Sequence, residues 1–270
     1  MPSRSAPEPL TVGGLTPMST IDFPGKLSAV LFLQGCPWRC RFCHNGGLIP
    51  RSAEQQLGWD KVIEFLLERR GFLDAVVFSG GEPTLQRRLE AAVRQVKQLG
   101  FAIGLHTAGI YPARLGRLLP LLDWIGLDVK THREDYSRIT GVRDSADRVW
   151  HSIELIQASG VPHEFRTTVH PDLLSQAQLL RLRQELIDLQ AANLVIQECV
   201  DDHCLDPDLR QSQRPRHAAD FYRRLARGFE HFEIDRGNVP DPEGDVALLR
   251  RAAGVVGREK GCFEGDPFHV

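Results

Sequence analysis

Three cysteines fall within the segment GCPWRCRFCHN, Gly35 to Asn45, spaced Cys36-x3-Cys40-x2-Cys43. Thiolates hold zinc ions and iron-sulfur clusters, and most cluster sites supply four of them. Only three are local here, so a cluster bound by this loop has one iron open to another ligand. The competing readings are buried thiols and three ligands of a structural zinc with a distant fourth. Three cysteines so close together, directly after an apolar run, weigh for metal over packing. A second group is FSGGEPTL, Phe78 to Leu85. Gly80 and Gly81 let the backbone approach a ligand and expose its amides and carbonyls, and Glu82 offers an acceptor for an ammonium group. Taken alone, Gly-Gly-Glu-Pro also fits a tight strand-to-helix turn. A third group is ECVDDHCLD, where Cys199 and Cys204 flank His203, with Cys262 near the C-terminus. Cys, Cys and His suit zinc, and buried thiols are the competing reading.

Both leading motifs follow short apolar runs that read as buried strands, Leu27 to Gln34 and Ala75 to Ser79. Further strands are expected at Ala102 to His106, Trp124 to Val129, Glu164 to Val169 and Leu194 to Glu198. Helical periodicity lies between them at Leu57 to Arg69, Leu85 to Leu99, Pro112 to Leu119, Ala146 to Ala158 and Ser175 to Leu189. A further helix is expected at Ala218 to Phe229. Six strands alternating with helices predict right-handed parallel crossovers and a partial (β/α)6 barrel of the α/β class, with a flat doubly wound sheet as the rival. In either case the motifs sit at C-terminal strand ends, where such folds bind ligands.

The chain has 270 residues, 42% hydrophobic and 25% charged, with a formal net charge of −2. That composition supports a sizeable core and provides no global field for nucleic acid or an anionic membrane. The longest apolar stretch, Ala29 to Leu33, is far short of the roughly 20 residues that span a bilayer. Met1 to Pro9 lacks the apolar segment of a secretory signal, so a cytoplasmic protein is expected, with its thiols kept reduced. The expected organisation is a tail over 1–14, a core domain over 15–200 and a helical or irregular extension over 201–270.

Five segments together carry a family likeness: STIDFPG at Ser19 to Gly25, FLQGCPWRCRFCHN at Phe32 to Asn45, SGGEP at Ser79 to Pro83, LDVK at Leu127 to Lys130 and RTTVHP at Arg166 to Pro171. The chain resembles the radical S-adenosylmethionine superfamily, and within it the glycyl radical enzyme activating enzymes. It is most like activating proteins of anaerobic ribonucleoside-triphosphate reductase, with pyruvate formate-lyase activating enzymes as near cousins. The resemblance implies one [4Fe-4S] cluster on Cys36, Cys40 and Cys43, and an open iron chelated by S-adenosylmethionine. Reductive cleavage of that cofactor then yields methionine and a 5′-deoxyadenosyl radical. It further implies that Phe42 lies near the adenine, that Gly80, Gly81 and Glu82 take the methionine amino group, and that Asp128 and Lys130 face the ribose and carboxylate.

By the same likeness Arg166 and His170 are candidates for cofactor contact, with solvated charge as the alternative. Asp22 falls near the substrate glycyl loop, with turn capping as the alternative. His106-Thr107 stands where formate-lyase activases tend to carry an Asp-Thr pair linked to a cation; Thr107 keeps a place on the cofactor side, while the histidine departs from the pattern. The implied partners are a glycyl radical enzyme, anaerobic ribonucleotide reductase first, and a low-potential electron donor such as flavodoxin or ferredoxin. The rivals are a radical enzyme acting on a small molecule, as deazapurine synthases do, and a non-catalytic zinc module.

Overall fold

The computed structural model describes residues 10–52, 56–200, 204–212 and 214–235. Cys262, His203 and everything after Asp235 lie outside the described residues. Among the described residues eight strands form one sheet in sequential order. They are β1 (Val12–Ser19), β2 (Ser28–Leu33), β3 (Ala75–Gly80), β4 (Ala102–Thr107), β5 (Trp124–Asp128), β6 (His163–Val169), β7 (Asn193–Glu198) and β8 (His231–Asp235). β1 is antiparallel to β2, and every later pairing is parallel. The helices are α1 (Trp59–Glu68), α2 (Leu89–Gln98), α3 (Pro112–Leu118), α4 (Tyr136–Thr140), α5 (Ser145–Ser159), α6 (Gln176–Asp188) and α7 (Ala219–Leu225).

Each of the six strands from β2 to β7 is followed by a helix before the next, so the expected six βα units are present. The strand order never reverses, and a doubly wound sheet needs such a reversal. The sheet nevertheless runs past both limits expected for the core. β1 begins at Val12, inside the expected tail, and β8 lies in the expected extension. β1 tolerates Gly13, Gly14 and Pro17 because it is an edge strand whose register against β2 shifts twice.

The two faces of the sheet divide the residues by period two. Ala29, Leu31 and Leu33 of β2, Val76 and Phe78 of β3, and Ile125 and Leu127 of β5 pack in the large core with the helices. The alternating positions Val30, Ala75, Val77 and Trp124 form a small separate cluster on the concave face. The β1–β2 turn folds into that face. Its Phe23 is 4% exposed and lies 5.7 Å from the Trp124 ring, centroid to centroid. A side chain at Gly104 would come within 3.0 Å of Phe23, so β4 has no side chain where the plug sits. This plug fills the space beside the N-terminal strand ends.

Local signals account for the helices. Leu66 of α1 is fully buried, a contribution of about 2 kcal/mol for one leucine. Ser175 caps α6 in a reciprocal box with Gln178, and Gly160, at φ 70°, ends α5 in the left-handed region.

Candidate functional site

Gly35, at φ 98°, turns the chain out of β2 into the cysteine loop. The loop is tied at both ends: Gly35 N donates to Leu48 O at 2.7 Å, Cys36 N to Ile49 O at 3.0 Å, and Arg39 N to Thr140 O at 3.0 Å. Cys36, Cys40 and Cys43 all line a cavity of about 340 Å³, together with Gly80, Gly81 and Lys130. Burial pushes the Cys36 thiol up to about 12 and the Cys40 thiol to about 11, although the Lys130 charge pulls Cys40 back. Such thiols ionise when a bound cation compensates, which couples deprotonation to metal binding.

Among the described residues, the set of three ligand atoms close enough to share a single ion is a different one, His44, Cys199 and Cys204. Cys36, Cys40 and Cys43 are not such a set. That arrangement fits a cluster, where each thiolate binds its own iron, and not one zinc ion. The donor set and its exposure to the cavity therefore fit a three-cysteine iron-sulfur cluster.

The glycine turn is clamped against this loop. Gly80 sits at φ 115°, and a side chain there would run into the Leu33 backbone; one at Gly81 would lie 2.9 Å from Leu48 O. Gly81 N donates to Leu33 O and Glu82 N to Gly35 O, both at 2.9 Å. Close backbone approach thus explains both glycines, and it sets them against the start of the cysteine loop, on the wall of the same cavity.

Glu82 sits behind the cavity wall. Its side chain is fully buried and does not line the cavity. Oε1 accepts from Thr84 N at 2.9 Å, from the Thr84 hydroxyl and from the Thr107 hydroxyl at 2.7 Å, while Oε2 accepts from Ala108 N at 2.9 Å. Burial raises its pKa against the pull of those donors. The carboxylate knits the β3 turn to the end of β4 and leaves the cavity wall to backbone and to Thr107. Glu82→Gln will therefore lower stability by roughly 1–3 kcal/mol, because the amide nitrogen must face a buried donor. Urea unfolding will show a lower midpoint at unchanged slope. Unchanged stability with weakened cofactor binding would instead give the carboxylate to the ligand.

The opposite wall is an ion cluster. Asp128 Oδ2 receives Lys130 Nζ at 3.1 Å, and Asp128 Oδ1 receives Arg166 Nε at 3.3 Å. Burial would raise the Asp128 pKa, but Lys130 and Arg166 outweigh it and hold the group at about 2. Lys130 also lies 5.5 Å from the Phe42 ring centroid, so the aromatic of the cysteine loop and the LDVK lysine share one wall. Burial opposes the Lys130 charge, yet Asp128 and then Cys40 keep its pKa raised.

Arg166 is not a solvated charge. It is buried beneath Asp128, over Trp124, and does not line the cavity. Gly126 makes the room, since a side chain there would meet the guanidinium carbon at 2.6 Å. Sequence reasoning missed Gly126, whose signal was a glycine inside an apolar strand. His170 is buried at the end of β6, where its Nδ1 accepts from Asp172 N at 3.2 Å, and it is not among the residues lining the cavity.

Asp22 sits in the turn that carries Phe23. Its carboxylate takes the Ser19 hydroxyl, as a turn cap does, and its backbone carbonyl receives His106 Nε2 at 2.9 Å. Burial, and then the Arg166 charge, lower the His106 pKa to about 3, so the imidazole is neutral. His106 and Thr107 both line the cavity. The ring therefore separates the ligand space from the Asp22 turn.

The Radical SAM superfamily model matches residues 30–178, more than half of the chain. A provisionally named glycyl-radical enzyme activating enzyme of Methanocaldococcus jannaschii is 33% identical over 177 residues, covering 62% of this chain and 72% of that protein. The pyruvate formate-lyase-activating enzyme of Clostridium pasteurianum is 32% identical over 130 residues, 46% of this chain and 54% of that enzyme. The 7-carboxy-7-deazaguanine synthase of Hyperthermus butylicus is 29% identical over 188 residues, 62% of this chain and 79% of that enzyme. Among solved structures, Streptococcus suis SuiB bound to S-adenosylmethionine superposes with a TM-score of 0.57 at 17% identity, over 76% of this chain and 48% of that one. The chain thus spans about half the length of the Clostridium enzyme and of SuiB. No helix among the described residues is long and apolar enough to cross a membrane. With a partial barrel, three cysteines facing a cavity at its C-terminal strand ends and a family match over the same segment, the chain belongs to the radical SAM superfamily and is an enzyme whose cofactors are a [4Fe-4S] cluster and S-adenosylmethionine.

Proposed function

We propose that this enzyme activates a glycyl radical enzyme, with anaerobic ribonucleoside-triphosphate reductase as the first candidate partner. In this reading Cys36, Cys40 and Cys43 hold the cluster, which, with its bound cofactor, supplies the one-electron cleavage that gives access to hydrogen abstraction. Gly80 and Gly81 offer backbone groups to the methionine end, Phe42 a ring to the adenine, and Asp128, Lys130 and Thr107 polar contacts along the other wall. Arg166 and Glu82 position these groups from behind. Flavodoxin or ferredoxin is the class of electron donor proposed.

The observation that carries the partner class is the open sheet: among the described residues β1 and β8 are its two edges and do not pair with each other. A loop of another protein can enter beside such an edge, where a closed barrel admits small molecules only. The Asp22 turn on the concave face then lies near the entering glycine, separated from the cofactor space by His106. The relative named 7-carboxy-7-deazaguanine synthase supports a second reading, in which the substrate is a small molecule.

One experiment separates the two. The reconstituted enzyme, a low-potential reductant, S-adenosylmethionine and the reductase are mixed without oxygen and examined by electron paramagnetic resonance. A protein radical is expected, with a splitting that collapses when the glycine is deuterated at its α-carbon. Absence of a radical on reductase and formate-lyase alike, with a small molecule consumed at one 5′-deoxyadenosine per product, would give the site to the second reading.

A further inference from the structure

His44 follows the last cluster cysteine directly in sequence, while Cys199 follows the end of β7 some 155 residues later. The fold brings them together with Cys204. Cys199 Sγ lies 3.5 Å from His44 Nε2 and 3.4 Å from Cys204 Sγ, and Cys204 Sγ lies 4.0 Å from His44 Nε2. An ion with zinc-sulfur bonds of about 2.3 Å and zinc-nitrogen bonds of about 2.0–2.1 Å, arranged tetrahedrally, sets its sulfurs about 3.8 Å apart and sulfur from nitrogen about 3.5 Å. The observed triangle is within half an ångström of that on every side. The sulfur separation is far beyond the roughly 2.05 Å of a disulfide bond.

The junction around this triangle is built independently of any ion. Arg41 of the cysteine loop pairs with Asp206 at 2.6 Å, Asp206 N donates to Arg41 O at 2.9 Å, and Arg210 Nε donates to Cys204 O at 2.8 Å. Both sulfurs are buried, Cys199 at 4% and Cys204 at 0% exposure, and the imidazole closes the outer side. Two segments distant in sequence therefore present two thiols and a ring nitrogen to one point.

We propose that His44, Cys199 and Cys204 form a second metal site, separate from the cluster, for one zinc ion. Sulfur donors select a thiolate-preferring metal over magnesium or calcium, and a tetrahedral sulfur and nitrogen set is characteristic of zinc. All three donors converge on a single ion, which distinguishes the site from a second iron-sulfur cubane. Binding displaces a proton from each thiol and involves no electron transfer. The ion cross-links the cluster loop, at the residue after Cys43, to the end of β7. The site does not depend on which partner the enzyme activates.

The test removes the competing thiols first. The full chain carrying Cys36→Ala, Cys40→Ala and Cys43→Ala is titrated with cobalt(II) without oxygen. One equivalent should produce the visible bands of a tetrahedral ion and a thiolate charge-transfer band, both erased by one equivalent of zinc. Cys204→Ser should weaken the charge-transfer band, and His44→Cys should strengthen it by adding a third thiolate. If the triple variant does not fold, elemental analysis of the anaerobically reconstituted wild-type enzyme serves instead. One zinc per chain is expected beside the iron, lost in Cys199→Ser/Cys204→Ser while the iron remains. Octahedral or absent cobalt bands in the folded triple variant, no zinc in the reconstituted enzyme, or a Cys199–Cys204 disulfide in anaerobically purified protein would overturn the proposal.

Discussion

Cys40→Ala is expected to reduce S-adenosylmethionine cleavage to the level of an enzyme-free control, and iron content from about four per chain to background. The side chain is 8% exposed and faces the cavity with Cys36 and Cys43. Removing one of three thiolates leaves a cluster with two protein ligands and a second unanchored iron. The change in packing is small, one sulfur atom, so circular dichroism should report an intact fold while iron, sulfide and 5′-deoxyadenosine all fall. Cys36→Ala and Cys43→Ala should behave alike. Cys199→Ala and Cys204→Ala should retain the cluster, because neither lines the cavity among the described residues, and Cys262→Ala should too, because Cys262 stands far outside the Cys-x3-Cys-x2-Cys spacing. Full iron occupancy in Cys40→Ala would refute the cluster assignment.

Asp128→Asn should destabilise the fold by about 3 kcal/mol at neutral pH, the lower end of what breaking a buried ion pair costs. The lower end applies because the Asp128 side chain is 30% exposed, whereas Lys130 and Arg166 are 11% and 10% exposed and lose their common anion. The effect has a defined pH window. Asp128 titrates at about 2 in the folded chain, below the roughly 3.9 of an unfolded aspartate. A depressed carboxylate contributes stability that is complete above the unfolded value and is lost as pH falls towards the folded one. The gap between wild type and variant in urea unfolding should therefore be constant above about pH 5 and shrink between about pH 4 and pH 2. A gap that ignores pH would mean that the ion cluster contributes through packing alone. The same variant frees Lys130 from its anchor beside Phe42, so cofactor affinity should fall with stability.

What the sequence revealed follows the range of each signal. Periodicity is local, and the six βα units were legible to within a few residues. The expected helix from Leu85 starts at Leu89 because Pro83 to Leu85 form a 3-10 turn capped by Glu82. β1 was hidden by Gly13, Gly14 and Pro17, which a central strand would not accept, and β8 by its sequence HFEID, in which only Phe232 and Ile234 are apolar. The cysteine and glycine motifs were legible because each concentrates its chemistry in a few residues.

Roles that depend on distant partners were not legible. Glu82 reads as a ligand residue until Thr107 and Ala108, more than twenty positions away, are seen to occupy its oxygens. Arg166 reads as an even choice between cofactor contact and solvated charge until Gly126 opens a place for it on the neighbouring strand. The second group of sulfur ligands pointed to His203 by proximity in sequence, whereas the described geometry supplies His44.

The sequential strand order bears on how the molecule is made. Each new strand pairs with the one synthesised just before it, so assembly needs only the closure of one helical crossover at a time and can proceed from the N-terminus during translation. The β1–β2 hairpin and the cysteine loop emerge first, and β3 brings the glycine turn against them. Asp128, Lys130 and the end of β7 are made about 90 to 160 residues later. The thiols are thus complete long before the wall that encloses them, and a nascent chain presents an open three-cysteine loop to whatever metals and oxidants surround the ribosome.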